Sequence, residues 1–294
     1  MINLRFHIVS LVAVFLALAI GIAVGATVVD QGLVSQSQRR IAALDSTLQD
    51  RAATIATLRR DRNAFERFGV EAEPRMVRAR LAVTPVLVVG DAAVDARRLE
   101  TLEGTLRASG AQVLGSLSIG RVLSIVSAAE TTKARQAISA TSSRPDTVQF
   151  LLRERVIGAI AHPLETATLD SLVDAGFVER RDPEGGVFPA VLLNGTRVIF
   201  VHQSSSGAAA ETVGAFLGRL TEAGTPVVVV GSGDDPVVAR IRTIPALAGR
   251  IATVDNIDTR AGRVATIYAL EDLARGRAGH YGDGDGAERL LPAA

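Results

Sequence analysis

The chain has 294 residues, 48% of them hydrophobic and 21% charged, with a formal net charge of +1. Near-neutrality leaves no whole-chain field to favour nucleic acid or acidic ligands. The absence of cysteine and tryptophan removes disulfides, thiolate nucleophiles and Cys-based metal sites, and disfavours aromatic platforms for bases or sugars.

The hydrophobic excess begins at the N-terminus. Residues 8–29 carry no charge, and at 1.5 Å per residue such a helix matches the roughly 30 Å hydrocarbon core of a bilayer. A cleaved signal peptide has an apolar region of only about 7–15 residues, so the stretch reads as a retained anchor. Ala13, Ala17, Gly21 and Gly25 recur at every fourth position, a small-residue stripe that lets two helices approach closely. Arg5 and His7 precede the span and Asp30 follows it. This bias predicts a cytoplasmic N-terminus, a single-pass plasma-membrane protein and an extracytoplasmic bulk.

Ile41, Leu44, Leu48, Ile55, Leu58 and Phe65 then alternate at three- and four-residue spacings. As heptads, Ile41, Leu48, Ile55 and Arg62 take the a positions; Leu44, Arg51, Leu58 and Phe65 take the d positions. Ile at a with Leu at d suits a parallel dimer, weakened where Arg51 and Arg62 intrude. The other reading is a lone amphipathic helix lying back on the rest of the chain.

Glu73-Pro74 is expected to close the helical region. Beyond it, short apolar runs at 86–89, 156–161, 197–201, 227–230 and 251–254 alternate with helical patterns at 99–108, 169–175, 209–223 and 264–277. That alternation predicts an α/β sandwich, a mostly parallel sheet covered on both faces. The whole divides into a cytoplasmic tip and transmembrane anchor (1–30), a coiled coil (31–70), a linker (71–84), an α/β domain (85–278) and a Gly-rich C-terminal tail (279–294).

Ligands in such sheets bind beyond the carboxyl ends of strands. The places to look are Gly90-Asp91, His202-Gln203-Ser204 and Gly231-Ser232-Gly233-Asp234-Asp235. None completes a catalytic or nucleotide motif: the third glycine of a dinucleotide fingerprint is missing, the only lysine is Lys133, and no G-x-S-x-G elbow exists. The chain reads as a non-enzyme without a cofactor. The four histidines, His7, His162, His202 and His280, form no i, i+3 or i, i+4 pair, leaving His202 and His280 as isolated metal candidates. Asp283-Gly284-Asp285-Gly286 lacks the later ligands of a calcium loop and reads as a flexible tail.

Two stretches together carry a family resemblance. The first is Ile2-Asn3-Leu4-Arg5-Phe6-His7, with Val9-Ser10-Leu11 and Phe15-Leu16-Ala17-Leu18. The second is Thr253-Val254-Asp255-Asn256-Ile257-Asp258, followed by Gly262-Arg263, Ala269-Leu270, Gly279-His280-Tyr281-Gly282, Gly286-Ala287 and Leu291-Pro292. In these and in element order the chain resembles the mycobacterial copper transport protein B (MctB) family of actinobacterial envelope proteins. The resemblance implies copper efflux or tolerance, in some accounts through an outer-membrane pore. It also implies a second role, in cell separation beside a septal partner that controls peptidoglycan hydrolases. Uniformly apolar strands interleaved with helices do not suit a lipid-facing barrel, whose strands alternate apolar and polar residues. The residues instead fit a dimeric rod presenting a folded domain to an envelope or division protein, with no nucleic-acid partner. The surfaces to watch are the coiled-coil exterior and the turn Asp255, Asn256 and Asp258 with His280, Tyr281 and Gly282, for which turn and helix capping is an equal reading.

Overall fold

The computed structural model describes residues 4–92, 94–162, 166–189, 192–203 and 207–292. Two compact units, Met1–Arg67 and Phe68–Ala294, divide the chain.

Helix α1 runs without interruption over Leu4–Val77. Its part in the first unit contains Arg5–Gly25, long and apolar enough to cross a membrane. The apolar residues of the heptad pattern are uncovered: Ile41 is 65% exposed, Leu48 63% and Phe65 76%. The expected stop at Glu73-Pro74 does not occur. Proline removes one helical hydrogen bond, but Glu73 and Val77 are buried on either side of it, and that packing carries the helix through to Val77.

The second unit is an α/β domain around a seven-stranded sheet in the order β3-β2-β1-β4-β5-β6-β7. The strands are β1 Pro85–Gly90, β2 Gln112–Ser118, β3 Glu179–Arg181, β4 Arg197–Val201, β5 Val227–Val230, β6 Ala252–Val254 and β7 His280–Tyr281. All neighbours pair in parallel except the edge pair β2–β3. The helices are α2 Ala96–Ala108, α3 Gly120–Leu123, α4 Ala128–Ala137, α5 Pro145–Ala161, α6 Thr166–Asp174, α7 Gly207–Glu222, α8 Pro236–Thr243, α9 Pro245–Ala248 and α10 Arg260–Ala274.

The apolar strands are continuous because both their faces are buried. Alternation sends Leu87, Val89, Val198, Phe200, Val227 and Val229 into one core with α3 to α8. The intervening Val86, Val88, Ile199, Val201, Val228 and Val230 enter a second core with α2, α10 and the end of α1.

The run 156–161, expected as a strand, is instead the last turns of α5. Pro145 opens that helix, and Val148, Leu152, Val156, Ile157 and Ile160 fall on one buried face. A short apolar run cannot by itself distinguish a strand from a buried helix. Strand β2 escapes the pattern because Gly115 and Ser116 break its apolar run. Gly115 sits at φ +117, where an added Cβ would lie 2.5 Å from the Arg181 carbonyl, so the edge strand can approach only a glycine. The supposed tail is folded as well, since it contributes β7.

Candidate functional site

Successive strands step one way from β1 to β2 and the other way from β4 to β6, so the order reverses between β1 and β4. Such a reversal opens a crevice at the strands' carboxyl ends. The residues that leave β1, β4 and β5 there are the three turns singled out by sequence; Ser204 of the second turn lies outside the described residues.

His202 follows β4 with its side chain fully buried. Its Nδ1–H donates to Asp235 Oδ2 at 2.7 Å. Asp235 Oδ1 accepts from the Val237 and Val238 N–H groups at 2.9 and 3.1 Å, capping α8. Gly231 lets this carboxylate fold back, because an added Cβ would sit 2.5 Å from Asp235 Cγ. On the opposite side of the ring, His202 Nε2 lies 3.2 Å from Asp91 Oδ2, yet without hydrogen-bond alignment. Asp91 Oδ1 accepts from the Gln203 N–H at 2.9 Å. Burial disfavours the imidazolium, but the hydrogen bond to Asp235 and the charges of Asp235 and Asp91 outweigh it, so His202 titrates above its ordinary value.

His202 and Asp235 line a cleft of about 400 Å³ together with Asp95, Arg98, Gln203, Ser232 and Asp234. Asp95 caps α2 by accepting from the Arg98 N–H. The Arg98 guanidinium is held by Asp258 at 2.8 and 3.0 Å and reaches Ser232 Oγ at 3.1 Å. The N-termini of α2 and α8 therefore already carry carboxylates, which makes them poor seats for an anionic ligand.

Apart from Asp258, which holds Arg98, the family motif assembles elsewhere on the same edge. Arg242 of α8 donates to Asp255 at 2.9 Å, to Thr253 Oγ1 at 2.9 Å and to the Tyr281 carbonyl at 2.9 Å. Both members of the Arg242–Asp255 ion pair are almost wholly buried. Asp255 also accepts from the N–H groups of Asp283 and Gly284 at 3.1 and 3.0 Å. An alanine Cβ at Gly282 would meet Asp255 Oδ1 at 1.7 Å, and φ there is +131. Asn256 donates to Asp283 at 3.3 Å. His280 shares a 3.0 Å hydrogen bond with Thr253, and burial pushes its pKa down. The motif is thus a clamp that holds residues 280–284 against the sheet; the Gly-rich segment read as loose is fastened by it.

His202 and His280 are not brought together. Strands β5 and β6 lie between theirs, about 14 Å at the usual strand spacing. Among the described residues, no three His, Cys, Asp or Glu side chains converge as a metal-holding group. Sequence reasoning overlooked Arg98, Arg242 and Glu73. The signal for the second was available: Asp235-Pro236 is a helix start, which places Arg242 on the last turn of α8.

In the first unit the small-residue stripe is open, with nothing within 4 Å of a Cβ added at Gly21 or Gly25. Because α1 is continuous, the step from Gly25 to Ile41 turns it by about 160° at 3.6 residues per turn. The stripe and the heptad seam therefore face opposite ways, and one straight pair of helices cannot close both at once.

The comparisons with known proteins cover both the motif and the N-terminal apolar helix. The family model described as "Copper transport outer membrane protein, MctB" matches residues 1–292. The chain belongs to the MctB family. It is 28% identical to the copper transporter MctB of Mycobacterium tuberculosis and to that of Mycobacterium bovis, over 98% of each chain. It is 26% identical to the Mycobacterium leprae protein of the same name over 99% of each. For this MctB-family chain, the Asp255 clamp and the N-terminal apolar helix lie at the two ends of the matched region.

Proposed function

We propose that this chain is a single-span plasma-membrane protein that dimerises through the helix after its anchor and serves copper tolerance as a non-catalytic scaffold. Its α/β domain stands outside the cytoplasm for a partner protein to engage. The observation that carries this reading is the exposed seam Ile41, Leu44, Leu48, Ile55, Leu58 and Phe65 on one uninterrupted helix with the apolar stretch. Six large apolar side chains left in water on one face call for a partner, and an identical helix supplies matching ones.

The relatives' name, copper transporter, gives the process. A conduit formed by this chain alone is harder to build. One apolar helix encloses no pore, and an open sheet with helices packed on both faces has no lipid-facing surface. The same rod would equally serve a septal partner that controls peptidoglycan hydrolases, the second role that the resemblance implies.

The absence of cysteine makes the test clean. Single cysteines at Leu48 and Ile55, in membranes treated with a mild oxidant, should give disulfide-linked dimers, whereas Ser46 and Ala53 on the opposite face should not. Equal linkage at all four positions would sink the paired stalk. Copper sensitivity on deletion, with normal septa, supports the copper process; misplaced septa with normal copper tolerance supports the division role instead.

A further inference from the structure

The geometry points to a labile site for a divalent transition metal of borderline softness, such as Cu²⁺ or Zn²⁺, held by His202 Nε2 and Asp91 Oδ2 beside the strand-end cleft. Three observations carry it. His202 is fully buried, and its Nε2 has no hydrogen-bond partner, a costly state for a ring nitrogen unless something else takes it up. The nearest oxygen, Asp91 Oδ2, lies 3.2 Å away and off the hydrogen-bond axis. Two donors bonded to one ion at about 2.0–2.1 Å each stand about that far apart in tetrahedral geometry.

The other ring nitrogen is engaged as a metal-binding histidine requires. Nδ1–H donates to Asp235 at 2.7 Å, and Asp235 is itself fixed by two backbone N–H groups of α8. A carboxylate on the far side of the ring sets the tautomer that leaves Nε2 as the ligand, and it raises that nitrogen's basicity. Asp235 is therefore a positioning residue and not a ligand, which is why the three side chains do not converge. Two protein donors are fewer than a closed structural site uses. His202, Gln203 and Ser232 line the neighbouring cleft, from which water would have to complete the ion's coordination. His280, the other sequence candidate, has no part in this site.

This goes beyond the scaffold reading, which stands on the seam cross-links whatever the metal does. The full-length chain in detergent, with selectively labelled histidines, is titrated with Zn²⁺ and, separately, Cu²⁺ by calorimetry and imidazole NMR. We expect one saturable ion per chain and a Zn²⁺-induced shift of the His202 Nε2 resonance that leaves Nδ1 protonated. His202→Gln and Asp91→Asn should abolish that step, and Asp235→Asn should weaken it about 10- to 100-fold. His280→Gln should leave it unchanged. No saturable binding, or binding that leaves the His202 Nε2 resonance of the unmodified chain unmoved, overturns the proposal even if a variant fails to fold.

Discussion

The two units of this molecule hold similar side chains and treat them in opposite ways. In the first unit, Leu11, Leu18, Leu48 and Leu58 are all more than half exposed; in the second, Leu87, Leu102, Leu152 and Leu217 are essentially inaccessible. One helix has no second layer against which to bury an apolar face, whereas a sheet with helices on both sides closes two cores. Part of the hydrophobic excess noted in the composition therefore lies uncovered on the first unit, where the proposed function assigns lipid to the apolar stretch and a second copy to the seam. It follows that stability of the second unit and association of the first should respond to different substitutions.

The largest effect is expected at the buried Arg242–Asp255 pair. Asp255→Ala leaves an uncompensated guanidinium and frees the backbone of Asp283 and Gly284, a loss of about 3–5 kcal/mol. Urea unfolding followed by circular dichroism measures it. A change below about 1 kcal/mol would mean that the clamp contributes little to holding the C-terminal segment.

Next comes Glu73, which ties the last turns of α1 to the rest of the second unit. It accepts from Thr105 at 2.6 Å, from Arg260 at 2.7 Å and from Arg263 at 3.2 and 3.3 Å. Burial works to raise its pKa, but the hydrogen bonds from Arg263, Thr105 and Arg260 outweigh it and hold the carboxyl below 4.5. A depressed acid stabilises the fold above its unfolded pKa, and that contribution fades as pH falls through the folded value. Glu73→Gln should therefore cost about 1.5–3 kcal/mol at neutral pH and progressively less below pH 4.5. Paired melting curves at the two pH values check it; a gap that does not narrow in acid would show that the charge is not what matters.

Much of this was legible beforehand, and the exceptions share a physical cause. The strands at 86–89, 197–201 and 227–230 announced themselves because burial on both faces makes an unbroken apolar run. Strand β2 and the helical identity of 156–161 were hidden because each depends on a neighbour, the Arg181 backbone in one case and the buried face of α5 in the other. The site was half legible. Gly90-Asp91, His202 and Gly231 to Asp235 stood out as strand ends, but their convergence on one imidazole is set by strand order, which local pattern does not encode. His202 stood only as an isolated metal candidate, because no second histidine lies at helical spacing from it. The partners that matter come instead from two other strands.

The smallest effect on stability should accompany the largest on association. Leu48 is exposed at a heptad a position, so Leu48→Asp removes no contact from the second unit, and its unfolding should move by no more than about 0.5 kcal/mol. In the proposed paired stalk the same substitution would set two carboxylates against each other in an apolar seam, where a single polar residue at an a position already weakens pairing. Sedimentation of the detergent-solubilised chain should then shift from dimer to monomer, while the thermal transition of the α/β domain stays in place. If the domain melts early, the helix surface is coupled to the core and the division of labour between the two units is wrong. If neither property changes, the seam is not where two copies meet, and the small-residue stripe on the opposite face of α1 becomes the surface to substitute.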